Sequence, residues 1–356
     1  MSEMPKALGV GLVGAGAFGE FCLQAFAQLN EIKIAAVCDV DADRALRLAA
    51  TYGASAYTSL DQLLEDGAVE VVAINTPPHL HAAYGLAALQ AGRHLFSEKP
   101  IAMTLSDANA LVQAAMMNDR RLTIDYVMRR NPLWRGAVAL RESGVLGRLL
   151  HMDLINHAAG LNLSASHWFW DKAQSGGIWI EHGVHFFDAF AWVAGQPGRV
   201  TTASAWSNAS GQEDRVEALA TFGEVAAHFY HGFTHSSANE QTTVRLTFEY
   251  GHVSLLEWVP TVLQIDGLTG ERAEQVAPLL PIRVGIRHHD RDRAVIQAVL
   301  SQGKTRVYAE CIQGGIRELA QAVRNPDRPL AVTGAHGVDS LRMALEAERL
   351  GQVSRQ

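Results

Sequence analysis

Three places in the 356-residue chain gather residue types that can do chemistry. The first is Gly14-Ala15-Gly16-Ala17-Phe18-Gly19, which follows a short apolar run and opens an amphipathic stretch. At that spacing Gly14 permits a tight turn, Gly16 lets backbone approach a pyrophosphate, and Gly19 lets a helix pack close to a sheet. Ala17 and Phe18 then begin a helix whose unpaired amides and partial positive charge suit phosphate. Asp39 follows Gly19 by 20 residues, at the end of the next apolar run. A carboxylate there can accept hydrogen bonds from an adenosine ribose, the competing use being to cap the following helix. It would repel a 2′-phosphate, and the nearest offsetting cation, Arg44, lies one turn on. The expected cofactor is therefore NAD, ahead of NADP.

The second place is a pair of strand ends. Asn75-Thr76-Pro77-Pro78-His79 turns the chain where a strand must stop, because proline cannot continue a ladder. Glu98-Lys99-Pro100 does the same after the next apolar run. In a doubly wound sheet those carboxyl ends face the ligand, so Asn75, Thr76, Pro77, His79, Glu98 and Lys99 are candidate cofactor contacts. Lys99 could also stabilise charge developing on a substrate oxygen, as an alternative to a solvated lysine or an ion pair with Glu98. The third place is Gly176-Gly177-Ile178-Trp179-Ile180-Glu181-His182-Gly183-Val184-His185-Phe186-Phe187-Asp188. On a helix over 180–194, Glu181, His185 and Asp188 share one face, while His182 is turned about 100° from Glu181. The ligand types are dense, but the order is not the HExxH of zinc proteases, and no metal site is expected. His157, His228 and His231, with Trp168, Trp170 and Trp179, could line a cleft; taken singly, each reads as packing or exposed sheet.

The elements that must hold these residues differ between the two parts of the chain. Over 1–125, short apolar runs such as Leu8–Val13 and Ile32–Cys38 alternate with helical stretches. Such alternation requires a parallel sheet with helices on both faces. All seven tryptophans and twelve of the fifteen histidines lie beyond residue 125, where strand-like runs follow one another. That pattern predicts an open, mostly antiparallel sheet, covered on one face by helices near 132–143 and 180–194. The fold class is α/β: a Rossmann doubly wound domain over 1–125, then an α/β domain with a large open sheet over 126–356.

Apolar residues at 48% and charged residues at 19% allow large cores and exclude a disordered chain. A net charge of −7 argues against a general nucleic-acid binder. Residues 8–29 hold a single charge, Glu20, but their clustered glycines mark strand, turn and helix rather than a leader or membrane span. Three scattered cysteines without a CxxC pair suggest neither disulfides nor thiolate zinc, consistent with a cytoplasmic protein and no membrane partner.

Taken together, Gly14–Gly19, the Thr76-Pro77 to His81 turn, Glu98-Lys99-Pro100, Tyr126-x-x-Arg129-x-x-Pro132 and the 176–188 segment resemble the Gfo/Idh/MocA oxidoreductases, over nearly the whole chain and in order. The resemblance implies hydride exchange between NAD(P) and a secondary alcohol or carbonyl of a sugar, inositol or related polyol. It implies a lysine, a carboxylate and a histidine four residues later as the working set, here Lys99, Glu181 and His185, with Tyr126 adding a hydrogen bond. Most members carry aspartate where this chain has Glu181. The resemblance further implies a homodimer or homotetramer formed through the second sheet. Two other readings stay open: a cofactor-retaining, redox-assisted glycoside hydrolase or lyase, and a non-catalytic nucleotide-sensing protein.

Overall fold

The computed structural model describes residues 7–289 and 293–353. They form two compact units. One ends at Val127 and takes in Ala309–Leu341; the other comprises Met128–Tyr308 and the residues from Arg342 onward.

The first unit holds six parallel strands: β1 (Leu8–Val13), β2 (Ile32–Cys38), β3 (Ser55–Tyr57), β4 (Val71–Ile74), β5 (His94–Ser97) and β6 (Leu122–Ile124). Their spatial order is β3-β2-β1-β4-β5-β6, the doubly wound arrangement, with the strand order reversing between β1 and β4. Strands β1 and β4 are buried along their whole length, which is why they read as unbroken apolar runs. Local chemistry sets the helix ends. Asp41 caps Ala42–Tyr52 by accepting from the Arg44 amide, and left-handed Gly53 closes it. Thr104 caps Leu105–Met117 through the Asp107 amide. Residues 309–341 are tied into this unit by Gln313 Nε2 donating to Ala25 O, Thr123 Oγ1 donating to Val332 O and an Arg317–Glu31 ion pair.

The second unit carries a nine-stranded sheet: β7 (Leu149–His157), β8 (Arg199–Ser207), β9 (Glu213–Phe222), β10 (Val225–Gly232), β11 (Gln241–Phe248), β12 (Gly251–Leu256), β13 (Val262–Leu268), β14 (Gly285–His288) and β15 (Ala294–Val299). The order is β14-β15-β13-β12-β11-β7-β10-β9-β8, antiparallel throughout except for β7 with β10. Alternation gives each strand a buried phase: Met152, Leu154 and Asn156 on β7, Ala227, Phe229 and His231 on β10. Helix Pro132–Ser143, capped by Asn131 on the Leu133 and Trp134 amides, and helix Val184–Ala194 pack on that face. Phe187 and Phe190 meet Phe229 at 4.8 and 4.6 Å between ring centroids.

Asp188, on the same helix, is held by Arg129 through two 2.8 Å hydrogen bonds in a nearly dry setting. Both charges are compensated there. Removing either partner leaves the other buried alone, at a typical loss of ~3–5 kcal/mol.

The opposite face of the sheet carries His228, whose ring nitrogens lie 2.7 Å from Asp153 and 2.9 Å from Glu217. Two carboxylate acceptors call for two N–H donors. The hydrogen bond to Asp153 raises the His228 pKa above its ordinary value, with Glu217 adding to it against partial burial. A raised folded value means that the contribution to stability is complete below the unfolded pKa of ~6.5 and is lost as pH rises through the folded one. Wild type is therefore expected to melt above His228→Gln at mildly acid pH, with the gap closing as pH rises. A gap that does not depend on pH would show that the imidazolium contributes nothing.

Candidate active site

The glycine turn lies where the order of the sheet reverses. Gly14 has φ +94°, and a Cβ there would sit 2.6 Å from Asn75 O; one on Gly19 would sit 2.0 Å from Gly14 O. Gly16 differs, since a Cβ there meets nothing within 4 Å. Helix Ala17–Phe26 starts immediately afterward without a side-chain cap. Ala17 is exposed and Phe18 half-buried above that turn. Asp39 is buried at the end of β2, its two oxygens accepting from the Ala15 amide at 2.7 Å and the Asp41 amide at 2.9 Å. The helix cap is Asp41, so the capping alternative for Asp39 does not hold. Arg44 reaches back to 3.4 Å from Asp39 and 3.3 Å from Asp41. Beside the turn, the Asn75 amide and the Thr76 hydroxyl are buried without a hydrogen-bond partner among the described residues. Pro77 opens the next turn, and His79 is exposed on it. An uncapped helix end, open space at Gly16, orphaned polar groups and a fixed carboxylate fit a dinucleotide.

Lys99 follows β5 and is half-buried. Buried His81 joins the two strand-end turns, its ring nitrogens 2.8 Å from Thr76 O and 2.7 Å from Pro100 O. Glu98 points inward, and its carboxyl pKa is raised well above normal by burial and by Asp125, with Lys99 opposing. Its register neighbour is Asp125, since β5 and β6 pair Ser97 with Ile124. Glu98 is thus part of a buried carboxyl pair beside the lysine. Tyr126 requires a correction to the expected hydrogen bond to substrate. The side chain is fully buried, with its hydroxyl bonded to Ser340 Oγ, which in turn donates to Gly337 O. Its hydroxyl is thereby engaged inside the first unit.

In the second unit, left-handed Gly176 and Gly177 lead into Trp179–Gly183, which is a π turn and not the α-helix expected, before α-helix begins at Val184. The wider turn changes the angular spacing on which the exclusion of His182 rested. His182 Nδ1 lies 4.0 Å from Glu181 Oε2, and its ring is 6.1 Å from that of His185. His182 therefore shares the site. His185 is buried, its ring 4.6 Å from Trp258, which also approaches His182 at 5.1 Å. Trp179 is wholly buried against Phe187. His231 is wholly buried beneath His182, while His228 is on the far face and His157 pairs with His235 at 4.5 Å. Trp168 and Trp170 are half-buried in a 3₁₀ turn. The sequence reading missed Trp258, Asn156 and Thr242; the last two are polar side chains on the apolar phase of their strands, a signal that strand alternation carries.

Among the described residues, no group of three or more His, Cys, Asp or Glu is arranged to hold a metal ion, and no helix is long and apolar enough to cross a membrane. Cys22, Cys38 and Cys311 are buried, with no disulfide formed.

Residues 8–126 match the oxidoreductase family with the NAD-binding Rossmann fold, and residues 134–254 match the GFO/IDH/MocA C-terminal domain. The chain belongs to the Gfo/Idh/MocA oxidoreductase family, and residues 8–126 carry that family's NAD-binding Rossmann fold. It is 34% identical over 149 residues to inositol 2-dehydrogenase of Salmonella typhimurium, covering 40% of this chain and 44% of that protein. It is 26% identical over 196 residues to 4-carboxy-2-hydroxymuconate-6-semialdehyde dehydrogenase of a Sphingobium species, covering 52% and 59%. The chain thus spans about half the length of the curated relatives it matches. Levoglucosan dehydrogenase, solved with NADH and levoglucosan, shares the fold at TM-score 0.82 and 18% identity, over 98% of each chain.

Proposed function

We propose that the protein is an NAD-dependent dehydrogenase that exchanges hydride with a secondary hydroxyl or carbonyl of a sugar, inositol or related polyol. The observation that carries this reading is the fixed Glu181–His185 turn, walled by Trp258, in a chain whose other unit presents Lys99 at the carboxyl end of β5. Gly14–Gly19, Asp39, Asn75 and Thr76 would hold NAD, which supplies the hydride acceptor. His185 takes the hydroxyl proton, Lys99 steadies the oxygen as negative charge grows on it, and Glu181 orients the imidazole or a substrate hydroxyl. The names of the inositol and levoglucosan dehydrogenases support the substrate class. The buried thiols support a cytoplasmic setting, and the unfilled face of the nine-stranded sheet, with Trp206 and Leu219 exposed, supports a homo-oligomer formed through it.

The test is a panel of sugars and polyols, myo-inositol included, incubated with NAD and followed by NADH absorbance over many turnovers. Net NADH release supports the dehydrogenase. Product formation without NADH release would instead show a cofactor-retaining cycle, and NAD binding without any turnover a nucleotide sensor.

Cofactor choice has its own test. Asp39→Asn keeps an acceptor for the Ala15 amide but removes the charge. NAD is expected to bind ~10–100-fold more weakly, on the scale of lost charge-assisted hydrogen bonds, while NADP loses less. Dissociation constants for both cofactors measure this, and an unchanged ratio would confine Asp39 to supporting the loop.

A further inference from the structure

Behind the Glu181–His185 turn lies a row of buried polar groups that the proposed reaction does not use. Asn156 on β7 stands in register with His231 on β10 and with Thr242 on β11, all three on the inward phase. The Thr242 hydroxyl donates to Asn156 Oδ1 at 2.7 Å, since that oxygen can only accept. The Asn156 amide nitrogen then has two hydrogens, and two histidine nitrogens face it: His182 Nε2 at 3.2 Å and His231 Nδ1 at 3.3 Å. Both must accept, so both rings carry their proton on the other nitrogen.

Two further observations agree with this orientation of the amide. His182 Nδ1 faces the Glu181 carboxylate at 4.0 Å, where an N–H is attracted and a bare lone pair repelled. His231 Nε2 is buried without a hydrogen-bond partner among the described residues, with its ring edge-on to Trp179 at 5.3 Å. An N–H is tolerated among aromatic rings better than a lone pair. Burial, followed by the neighbouring His182, holds the His231 pKa well below normal, in keeping with a neutral ring.

We infer that Asn156, itself fixed by Thr242, sets the tautomer of His182 so that its Nδ1–H faces Glu181, making His182 the positioning residue for that carboxylate. The hydrogens then all point one way, from Thr242 through Asn156 and His182 toward Glu181. The role of Glu181 in catalysis rests on the function proposed above; the tautomer does not.

The experiment reads the tautomer directly, from two-bond nitrogen–proton correlations in protein labelled with ¹⁵N-histidine, with His182 assigned by its absence in His182→Asn. The Nδ1–H form in wild type is expected. In Asn156→Asp, which can only accept, the proton is expected to move to Nε2. Wild-type His182 in the Nε2–H form, or as an imidazolium, would overturn the inference, as would a tautomer indifferent to Asn156→Asp in a folded variant. With the sugar or polyol that turns over fastest in the panel, His182→Phe is expected to lower kcat several-fold, since the N–H at 4.0 Å acts on the carboxylate by charge–dipole attraction and not through a hydrogen bond, with NAD affinity unchanged. His182→Asn, whose amide can present a donor near the Nδ1 position, is expected to recover most of it, and equal losses in both variants count against positioning. If nothing in the panel turns over, the dehydrogenase reading fails while the tautomer still decides this one.

Discussion

Replacing His185 with alanine is expected to lower the rate of alcohol oxidation by ~10²–10⁴, the usual effect of losing a general base. A secondary alcohol is a poor acid, so hydride cannot leave its carbon unless something takes the hydroxyl proton as charge builds. The imidazole is suited to this task by its surroundings. It is buried, walled by Trp258 at 4.6 Å, and stands in the first turn of the helix that follows the turn holding Glu181. Burial limits competition from water and restricts the ring to few orientations. The measurement is kcat across pH for wild type and His185→Ala, with NAD affinity as the control for folding. Wild-type oxidation should fall at acid pH as its base is protonated, and the variant should lack that limb. An unchanged limb in the variant would assign the base elsewhere.

Lys99→Ala is expected to lower turnover by ~10²–10³, the scale of one preorganised electrostatic contact, with little change in NAD affinity. The lysine is placed by rigid neighbours. Strand β5 ends two residues before it, His81 holds the Pro100 carbonyl just after it, and the Glu98 carboxyl pair lies beside it. The raised Glu98 pKa leaves that carboxyl less charged than a free carboxylate, so the ammonium is less neutralised than its acidic neighbours alone would suggest. Turnover and NAD dissociation constants measured side by side decide the matter. Near-normal turnover would mean that Lys99 has only a structural or cofactor-binding part.

Much of this was legible in the sequence because it rests on local rules. The glycine spacing and Asp39 report a turn, a close approach and a strand end, all fixed within one βαβ unit. Alternation announced the second sheet through six of its strands but not β13, β14 or β15; β14, four mostly exposed residues, carried too little pattern to be seen. What failed depended on geometry that residue types do not encode. Helical spacing at 100° per residue excluded His182, and a single π turn restored it. Tyr126 matched a motif, yet its hydroxyl bonds to Ser340, 214 positions away in the chain. Asn156, His231 and Thr242 show a middle case. Each strand displays one polar residue on its apolar phase, but only the register between strands shows that the three meet.

The three glycines of the turn divide the mutational sensitivity of the motif unequally. At positions 14 and 19 a methyl group collides with the chain's own backbone, so any replacement is a lesion in the fold. At position 16 the same methyl enters open space. An alanine there leaves every internal contact of the turn in place and intrudes only on whatever approaches from outside. If NAD is held as proposed, Gly16 is therefore the position at which a single methyl group would obstruct the cofactor while the turn keeps its fold. A descendant of this chain that became a pure binding module would be expected to carry its first change there.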